Sequence, residues 1–355
     1  YSTSNLSQNS LIVETAKRYK VISYNEMYET EVDYSTYSQN VTGYDGEGQL
    51  TSAISYCTSD DMPKIYIISG HNEYTLDSGF TTALEKENID YETISLMEYD
   101  AIPDDAECII IHAPEKDFSE DDANKVIDYL NNGGKAFITT EYVEEQMPNF
   151  EKILSEFGLT IEKGYAVDTN AGNYYQTPIY LLPNVEYSDE TTGLTGSHTY
   201  VMAPYAEAIA VPDVDVDSIT YTKLLTTSEK SLVKTDVKNA TSFDKEEGDI
   251  ECIGVKAEKT LDSGSAVLYV FSSAQFFTDN VDNAVSGNNR TLFTNIMSTI
   301  ASHDVSVSVP VKSYDYDNLT ASTKDVVLFE TIVVILIPLA LIITGFVVWF
   351  KRRKK

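Results

Sequence analysis

Cysteine is scarce in this sequence: the 355 residues include only Cys57, Cys108 and Cys252. Their odd number and wide spacing exclude a disulfide framework and a cluster of metal-binding thiols. Cys108 and Cys252 lie inside apolar runs, where a cysteine usually serves as a small core residue. We therefore expect no disulfide, which for an exported protein fits a bacterial envelope better than a eukaryotic secretory route.

Positive charge is also scarce. The chain has 25 lysines and arginines against 56 aspartates and glutamates, so its formal net charge is −31 at pH 7. Such a surface repels phosphate backbones, which excludes nucleic acid as a partner. The simplest role for this acidity is to keep an exported domain in solution.

The short signatures of common enzymes are missing. The sequence contains no GxSxG, HExxH or GxGxxG motif and no phosphate-binding P-loop. Ser69 is the nearest candidate for a nucleophile, but it lies inside a predicted strand. The acidic turn at 213–217 lacks the spaced oxygen ligands and central glycine of an EF-hand loop. We therefore predict a protein that is not an enzyme and holds neither a metal nor a cofactor.

A long apolar run stands near the C-terminus. Residues 331–350 (TIVVILIPLALIITGFVVWF) carry no charge, and a helix of that length spans about 30 Å, the thickness of the hydrocarbon layer. The basic residues 351–355 (KRRKK) follow at once. By the positive-inside rule we predict a transmembrane helix over 326–350 and a cytoplasmic tail over 351–355. The protein would then lie in the cell membrane, with its large domain extracytoplasmic.

Three residues of this run are candidate contacts with the membrane or with a membrane partner. Trp349 stands where an interfacial aromatic residue is expected, and membrane helices tolerate Pro338 and Gly345 because neighbours satisfy the freed backbone groups. A buried core helix, a glycolipid-anchor signal and a tail anchor with a cytoplasmic domain fit the sequence less well. Export of the large domain leads us to expect a signal peptide or a further membrane helix upstream of Tyr1.

Short apolar strands alternate with amphipathic helices from residue 63 onward. This alternation predicts a parallel sheet covered on both faces, an open α/β fold of the flavodoxin-like type. Predicted strands cover 64–69, 91–96, 108–112 and 135–139.

The rest of the chain divides by its pattern. Residues 166–262 contain short β-like pieces and acidic turns, which indicate a β-rich insertion. The α/β pattern returns with a strand at 266–272 and a helix at 290–302, so we predict one extracytoplasmic domain over 63–303. We interpret 1–62 as a linker or the end of a preceding domain, and 304–325 as an extended stalk.

Candidate ligand-binding residues follow the predicted strands, because open α/β sheets bind ligands beyond the carboxyl ends of their strands. His71 with Glu73 or Glu141 could act as an acid–base pair or hold a metal, and the alternative is a structural turn with a polar rim. We favour the structural turn because no nucleophile accompanies it. The candidate rim consists of Gly70, His71, Glu73, His112 and Glu141.

Several segments, in this order, resemble one family. DDMPKIYIISGHNE (60–73) is similar to the strand and GHGE signature of the gliding-motility-type auxiliary subunits of ABC transporters, with Asn72 where that family usually has glycine. The C-terminal apolar run resembles the family's last helix. Further similar segments are GEGQLTSAISYCTSDD (46–61), IIIHAP (109–114), LNNGGKAFI (130–138), LLTTSEKS (224–231), AVLYVFSSAQFFTDN (266–280) and GNNRTLFTNIMS (287–298).

The resemblance covers roughly residues 45–355. It implies a non-catalytic extracytoplasmic α/β domain that works beside an ABC-2 type permease and its ATPase. It does not imply gliding, because the family is broader than that trait.

Two alternative functions stay open. One is a membrane-anchored envelope hydrolase or amidotransferase-like enzyme that uses His71, Glu73 and His112. The other is a glycan-binding accessory, suggested by the 25 tyrosines and by a related domain in a subunit of eukaryotic oligosaccharyltransferase.

Overall fold

The computed structural model of the chain describes residues 6–33, 38–59, 62–196, 199–212, 218–235, 248–262, 264–301, 309, 311–314 and 322–353. The predicted acidic turn at 213–217 and most of the predicted stalk lie outside these residues. The predicted boundaries between linker, domain and stalk stay a prediction.

The described residues form nineteen strands. They are β1 Leu11–Glu14, β2 Tyr19–Ile22, β3 Tyr28–Asp33, β4 Ser38–Tyr44, β5 Lys64–Ser69, β6 Asp90–Ser95, β7 Ala106–His112, β8 Lys135–Thr139, β9 Thr160–Glu162, β10 Tyr165–Asp168, β11 Tyr180–Leu181, β12 Asn184–Val185, β13 Ala203–Pro204, β14 Ala208–Ala210, β15 Ile219–Thr226, β16 Ser231–Lys234, β17 Cys252–Leu261, β18 Gly264–Phe271 and β19 Lys312–Ser313.

Eight α-helices accompany these strands. They are α1 Gly46–Thr58, α2 Ser78–Lys86, α3 Glu120–Asn131, α4 Pro148–Ser155, α5 Asp279–Ala284, α6 Asn288–Ile300, α7 Thr323–Glu330 and α8 Ile337–Arg353.

A ten-stranded sheet forms the centre of the protein. Its main path runs β12-β15-β17-β18-β8-β7-β5-β6, and β14 joins β17 to β9 beside that path. The five strands β6, β5, β7, β8 and β18 are parallel. Counted along the chain from β5, their order is 2-1-3-4-5, which is the flavodoxin-like order. The predicted α/β fold with a mostly parallel central sheet is confirmed.

Alternating side chains of β7 explain why both faces of the sheet are covered. Ile109 and Ile111 pack into one apolar cluster with Val126 of α3 and Phe150 of α4. Ile110, between them, packs into the opposite cluster, which contains side chains of α2 and α6. Successive side chains of a strand point to opposite faces, so a continuous apolar run is what a doubly covered strand requires.

The β-rich residues 166–262 extend the central sheet. Strand β17 pairs antiparallel with β18, and β15 pairs antiparallel with β17. A chain segment from this region also crosses the carboxyl ends of β8 and β18, where the Glu207 amide donates to Ser272 O at 2.9 Å and Ser273 Oγ donates to Pro204 O at 2.6 Å. The sequence predicts the β content of this region but not its attachment to the parallel sheet.

Two of the motifs that carry the resemblance each contain a residue that hydrogen-bonds to a buried, distant segment. In LLTTSEKS, the amide and hydroxyl of Ser228 donate to the two carboxylate oxygens of Asp168, at 2.7 and 2.8 Å. In GNNRTLFTNIMS, the Asn289 side chain donates to the carbonyls of Met202 and Phe276 and accepts the Met202 amide. Both motifs therefore hold the segments at 168 and 202 against the rest of the domain.

The N-terminal residues pack on the domain. The hydroxyl of Thr15 donates to the Cys57 carbonyl at 2.7 Å, and the Cys57 thiol donates to the Val13 carbonyl, which ties the β1–β2 hairpin to α1. Lys86 of α2 forms an ion pair with Asp45 at 2.8 Å. A separate three-stranded sheet contains β3, β4 and β19. All three cysteines are buried free thiols.

One helix of 31 residues, Thr323–Arg353, is long and apolar enough to cross a membrane. It begins three residues before the predicted start, because Ser322 caps it by accepting the Asp325 amide. Its turns over Thr331–Leu336 are π-helical. Pro338 has no N–H to donate and its ring crowds the preceding turn, which is where such wider turns occur. None of the apolar window is buried inside the protein.

Candidate functional site

The predicted rim residues lie at the switch point of the sheet. In a sheet of order 2-1-3-4-5, the ligand crevice lies at the carboxyl ends of the first and third strands, which here are β5 and β7. Gly70, with a φ of 123°, turns the chain after β5, and His112 ends β7. The structure thus brings Gly70, His71, Glu73 and His112 to this point, and places Glu141 beyond the end of β8.

His71 is held on every side by neighbouring groups. Its Nδ1 lies 2.9 Å from Glu73 Oε1, and its Nε2 lies 3.4 Å from Asp122 Oδ2. The ring stacks on Phe118, with centroids 3.7 Å apart and planes 9° apart. The His71 carbonyl accepts the amide of Glu115 at 3.2 Å. The crevice at the switch point is therefore filled by the protein's own side chains.

Both ring nitrogens of His71 face carboxylate oxygens. This arrangement favours the protonated, cationic form of the ring. Burial alone would lower the pKa of His71, but the hydrogen bonds and charges of Glu73 and Asp122 raise it above its ordinary value. Burial would likewise raise the pKa of Asp122, but hydrogen bonds from Ser119, Lys125 and His71 lower it. The group is a buried ion cluster, with no ring nitrogen left over for proton transfer.

His112 has a different environment and different partners. It is buried, and its Nδ1 lies 2.7 Å from the Thr139 hydroxyl oxygen. The edges of Tyr74 and Phe277 meet its ring at centroid distances of 6.1 and 6.0 Å. Burial lowers the pKa of His112 to about 4, so the ring is neutral at physiological pH. The two histidines therefore do not act as one dyad, and the geometry lends no support to the hydrolase alternative.

A second polar group lies at the carboxyl ends of β8 and β18. Thr140 follows β8, and its hydroxyl donates to Glu207 Oε2 at 2.9 Å. Glu207 is 5% exposed. Burial raises the pKa of Glu207 to about 8, with the Thr140 hydrogen bond opposing that rise and the charge of Glu141 adding to it. The predicted rim residue Glu141 is thus part of this second group.

Four tyrosines near these glutamates in the chain or in space contact one another. Ring centroids are 5.1 Å apart for Tyr142 and Tyr165, 5.9 Å for Tyr165 and Tyr205, and 5.4 Å for Tyr205 and Tyr180. Burial and then the charges of Glu141 and Glu207 raise the pKa of Tyr165. We call Glu141, Glu207, Tyr142, Tyr165, Tyr180 and Tyr205 the acid–tyrosine cluster.

The sequence did not predict Asp122 in the group around His71 or Glu207 in the second polar group. Nothing in the sequence indicates that Asp122, in the first turn of α3, reaches back to His71. Glu207 carries the one recognisable signal, a lone acidic residue inside the apolar run YAEAIA (205–210). No group of three or more His, Cys, Asp or Glu with a metal-binding arrangement occurs in the described part of the chain.

Comparison with known proteins identifies the family. The profile of ABC_transp_aux, described as an ABC-type uncharacterized transport system, matches residues 62–296, well over half of the chain. The chain belongs to this family. The ABC_transp_aux match covers the whole parallel sheet, both buried hydrogen-bonding motifs and the acid–tyrosine cluster. No curated protein sequence matches the chain.

Several solved structures are similar to this chain at low sequence identity. The mmIFT52 N-terminal domain has a TM-score of 0.50 and 15% identity, covering 69% of this ABC_transp_aux chain and 100% of its own. A ThuA-like protein from Parabacteroides merdae has a TM-score of 0.42 and 12% identity over 74% and 97% of the two chains. A glutamine amidotransferase from Thermotoga maritima has a TM-score of 0.37 and 6% identity over 68% and 100%.

We predict that His71→Phe lowers the free energy of unfolding by about 3 kcal/mol near pH 6, because Glu73 stays buried without its cation and Asp122 keeps only Lys125. The contribution of His71 is complete below its unfolded pKa and is lost as the pH rises through its raised folded pKa. Urea unfolding of the detergent-solubilised chain, followed by circular dichroism, measures both effects. His112→Phe is the control, with a loss of about 1 kcal/mol for one hydrogen bond. Equal losses in the two variants would contradict the ion cluster.

We predict that Glu207→Gln stabilises the protein at pH 8, by about 2–4 kcal/mol. The raised folded pKa means that the native state binds a proton that the unfolded state has released, so wild-type stability falls as the pH rises from about 5 to 8. Glutamine keeps an acceptor for Thr140 and removes the ionisation. Unfolding curves across that pH range test this, with the exposed Glu98→Gln as control. An unchanged pH slope in Glu207→Gln would refute it.

Proposed function

We propose that this chain is a non-catalytic, extracytoplasmic auxiliary subunit of an ABC-2 type transport system, anchored beside the permease by its C-terminal helix. The family match over residues 62–296 carries this proposal. The order of the motifs supports assignment to the gliding-motility-type branch of auxiliary subunits, without implying gliding. The permease and its ATPase are the proposed partners.

The state of the rim supports a role without catalysis. Acid–base chemistry needs a group with a free ring nitrogen or oxygen near a reacting atom. His71 uses both ring nitrogens on Glu73 and Asp122, and the buried His112 uses Nδ1 on Thr139. The switch-point crevice is occupied by packed rings, so we assign it a structural role.

Contacts between the first turn of the C-terminal helix and the domain support a scaffolding role. Lys324, in the first turn of α7, donates its amide to the Ala171 carbonyl at 3.0 Å. Burial raises the pKa of Tyr200, and the charge of Asp325 adds to this while a hydrogen bond with Ser322 opposes it. These contacts fix where the helix leaves the domain. At 1.5 Å per residue, α7 places that point about 12 Å from the uncharged run.

The orientation that we propose puts the domain outside and residues 351–355 inside, by the positive-inside rule. We predict that Tyr187→Cys, at a position 87% exposed, reacts with a membrane-impermeant maleimide on intact cells. Arg353→Cys should react only after permeabilisation. The buried native thiols, of which Cys252 has its pKa raised to about 12 by burial, give little background. The reverse labelling pattern would overturn the orientation.

Pro338 and Gly345 lie on one side of the helix, seven residues apart. A Cβ at Gly345 would meet no atom within 4 Å, so leucine there fits within the chain itself. We predict that Pro338→Leu with Gly345→Leu reduces co-purification of the permease and ATPase encoded nearby by at least about tenfold, as the loss of one well-packed contact would.

The matched control adds leucine to the opposite side of the same helix, as Ala340→Leu with Val347→Leu, also seven residues apart. This pair should leave co-purification unchanged, and membrane insertion should be normal for both pairs. Equal retention by both pairs would exclude the Pro338 side as the contact. Purification of the wild-type chain alone, in mild detergent, would contradict the proposed function itself.

A further inference from the structure

We propose that the acid–tyrosine cluster is a binding site for a small organic cation that carries an ammonium or guanidinium group. Glu207 and Glu141 would face the positive charge, and the tyrosine rings would surround it. This proposal is independent of the transport role, because it depends only on groups within the domain.

Glu207 differs from the buried carboxylates Glu190 and Asp122. Glu190 pairs with Lys256 at 3.0 Å and accepts the Tyr269 hydroxyl at 2.9 Å, and Asp122 pairs with His71 and Lys125. Glu207 is equally buried, yet in the described part of the chain its side chain accepts one hydrogen bond, from the neutral Thr140 hydroxyl, and makes no ion pair. Such a carboxyl is costly at neutral pH, because the protein must either bury its charge or hold a proton above the ordinary pKa of a glutamate, so its retention points to a cation supplied from outside.

The rings near Glu207 suit a cation. The face of a tyrosine ring carries negative potential and attracts ammonium or guanidinium groups within about 6 Å of its centroid. Tyr142, Tyr180 and Tyr205 are partly exposed, so a ligand reaches the cluster from solvent, whereas Tyr165 is buried at its base. The carboxylate of Glu141, also in the cluster, adds a second negative charge.

Tyr205 has a strained backbone conformation in the cluster. Its φ is 56°, in the left-handed region that bulky residues rarely adopt. Its amide donates to Ile179 O at 3.0 Å, and its hydroxyl lies 3.3 Å from that of Tyr180. Strain of this kind is retained when the surrounding structure fixes it, and here it places one ring between two others.

Charge favours a cation over a neutral sugar. A sugar would stack on the same rings but would leave Glu207 without a counter-charge. Burial raises the pKa of Glu207 to about 8; the Thr140 hydrogen bond and the charge of Lys163 oppose this rise, and the charges of Glu141 and Glu151 add to it, so the carboxyl is protonated at neutral pH. A bound cation would favour the ionised form and release the proton. Affinity should therefore rise with pH up to about 8.

The test is calorimetric titration of the full chain in detergent with choline and, separately, agmatine, which present the two cationic groups. The neutral control is 3,3-dimethylbutan-1-ol, the carbon isostere of choline. We expect at least one cation to bind, with affinity that increases from pH 6 to pH 8, and we expect no binding of the isostere. Binding of both cations, or of one, supports the site and identifies the preferred group.

Two variants connect binding to the cluster. Glu207→Gln should weaken binding at pH 8 at least tenfold and remove the pH dependence, and Glu98→Gln should change neither. Tyr142→Leu, at a partly exposed ring, should weaken binding without unfolding the protein. The proposal is overturned if neither cation binds at millimolar concentration, if the isostere binds equally, or if Glu207→Gln and Tyr142→Leu both retain wild-type affinity.

Discussion

The charge on His71 between two buried carboxylates is the interaction on which the candidate site depends. A sheet of order 2-1-3-4-5 opens a crevice at the ends of its first and third strands, and other proteins with this order bind ligands there. Here Glu73, Asp122 and the ring of Phe118 close that crevice around His71. The ion cluster joins the turn after β5 to α3. The position where related sheets bind ligands therefore has a structural role here. The second polar group lies elsewhere, at the carboxyl ends of β8 and β18.

The β-rich region, residues 166–262, contributes part of this second polar group. Strands β15 and β17 continue the sheet past β18, and the segment before β14 returns across the strand ends with Glu207 and Tyr205. A parallel sheet that ends in antiparallel strands can have its edge covered in this way without a separate domain. The buried carboxylates Glu190, Asp122 and Asp168 have an internal cation or several donors, whereas Glu207 accepts a single hydrogen bond.

The sequence predicted what local pattern can determine. Apolar runs such as CIIIH predicted the parallel strands, and the uncharged run from Thr331 predicted the helix that is long and apolar enough to cross a membrane. The rim residues after β5 and β7 were located because their positions follow from strand ends. The partners of those residues could not be predicted, since Asp122 reaches His71 and Glu207 reaches Thr140 through tertiary contacts between distant segments. Likewise, the capping by Ser322 moved the helix start from 326 to 323 through one side-chain hydrogen bond.

The central claim is that the helix and the domain together hold this protein against a permease. Photo-crosslinking in living cells tests it most directly, with a photoreactive amino acid placed singly at each position from 334 to 347. The account predicts crosslinks to the permease that recur with the 3.6-residue period of a helix and centre on the side of Pro338 and Gly345. Crosslinks that are uniform around the helix, or that never include a permease, would contradict it.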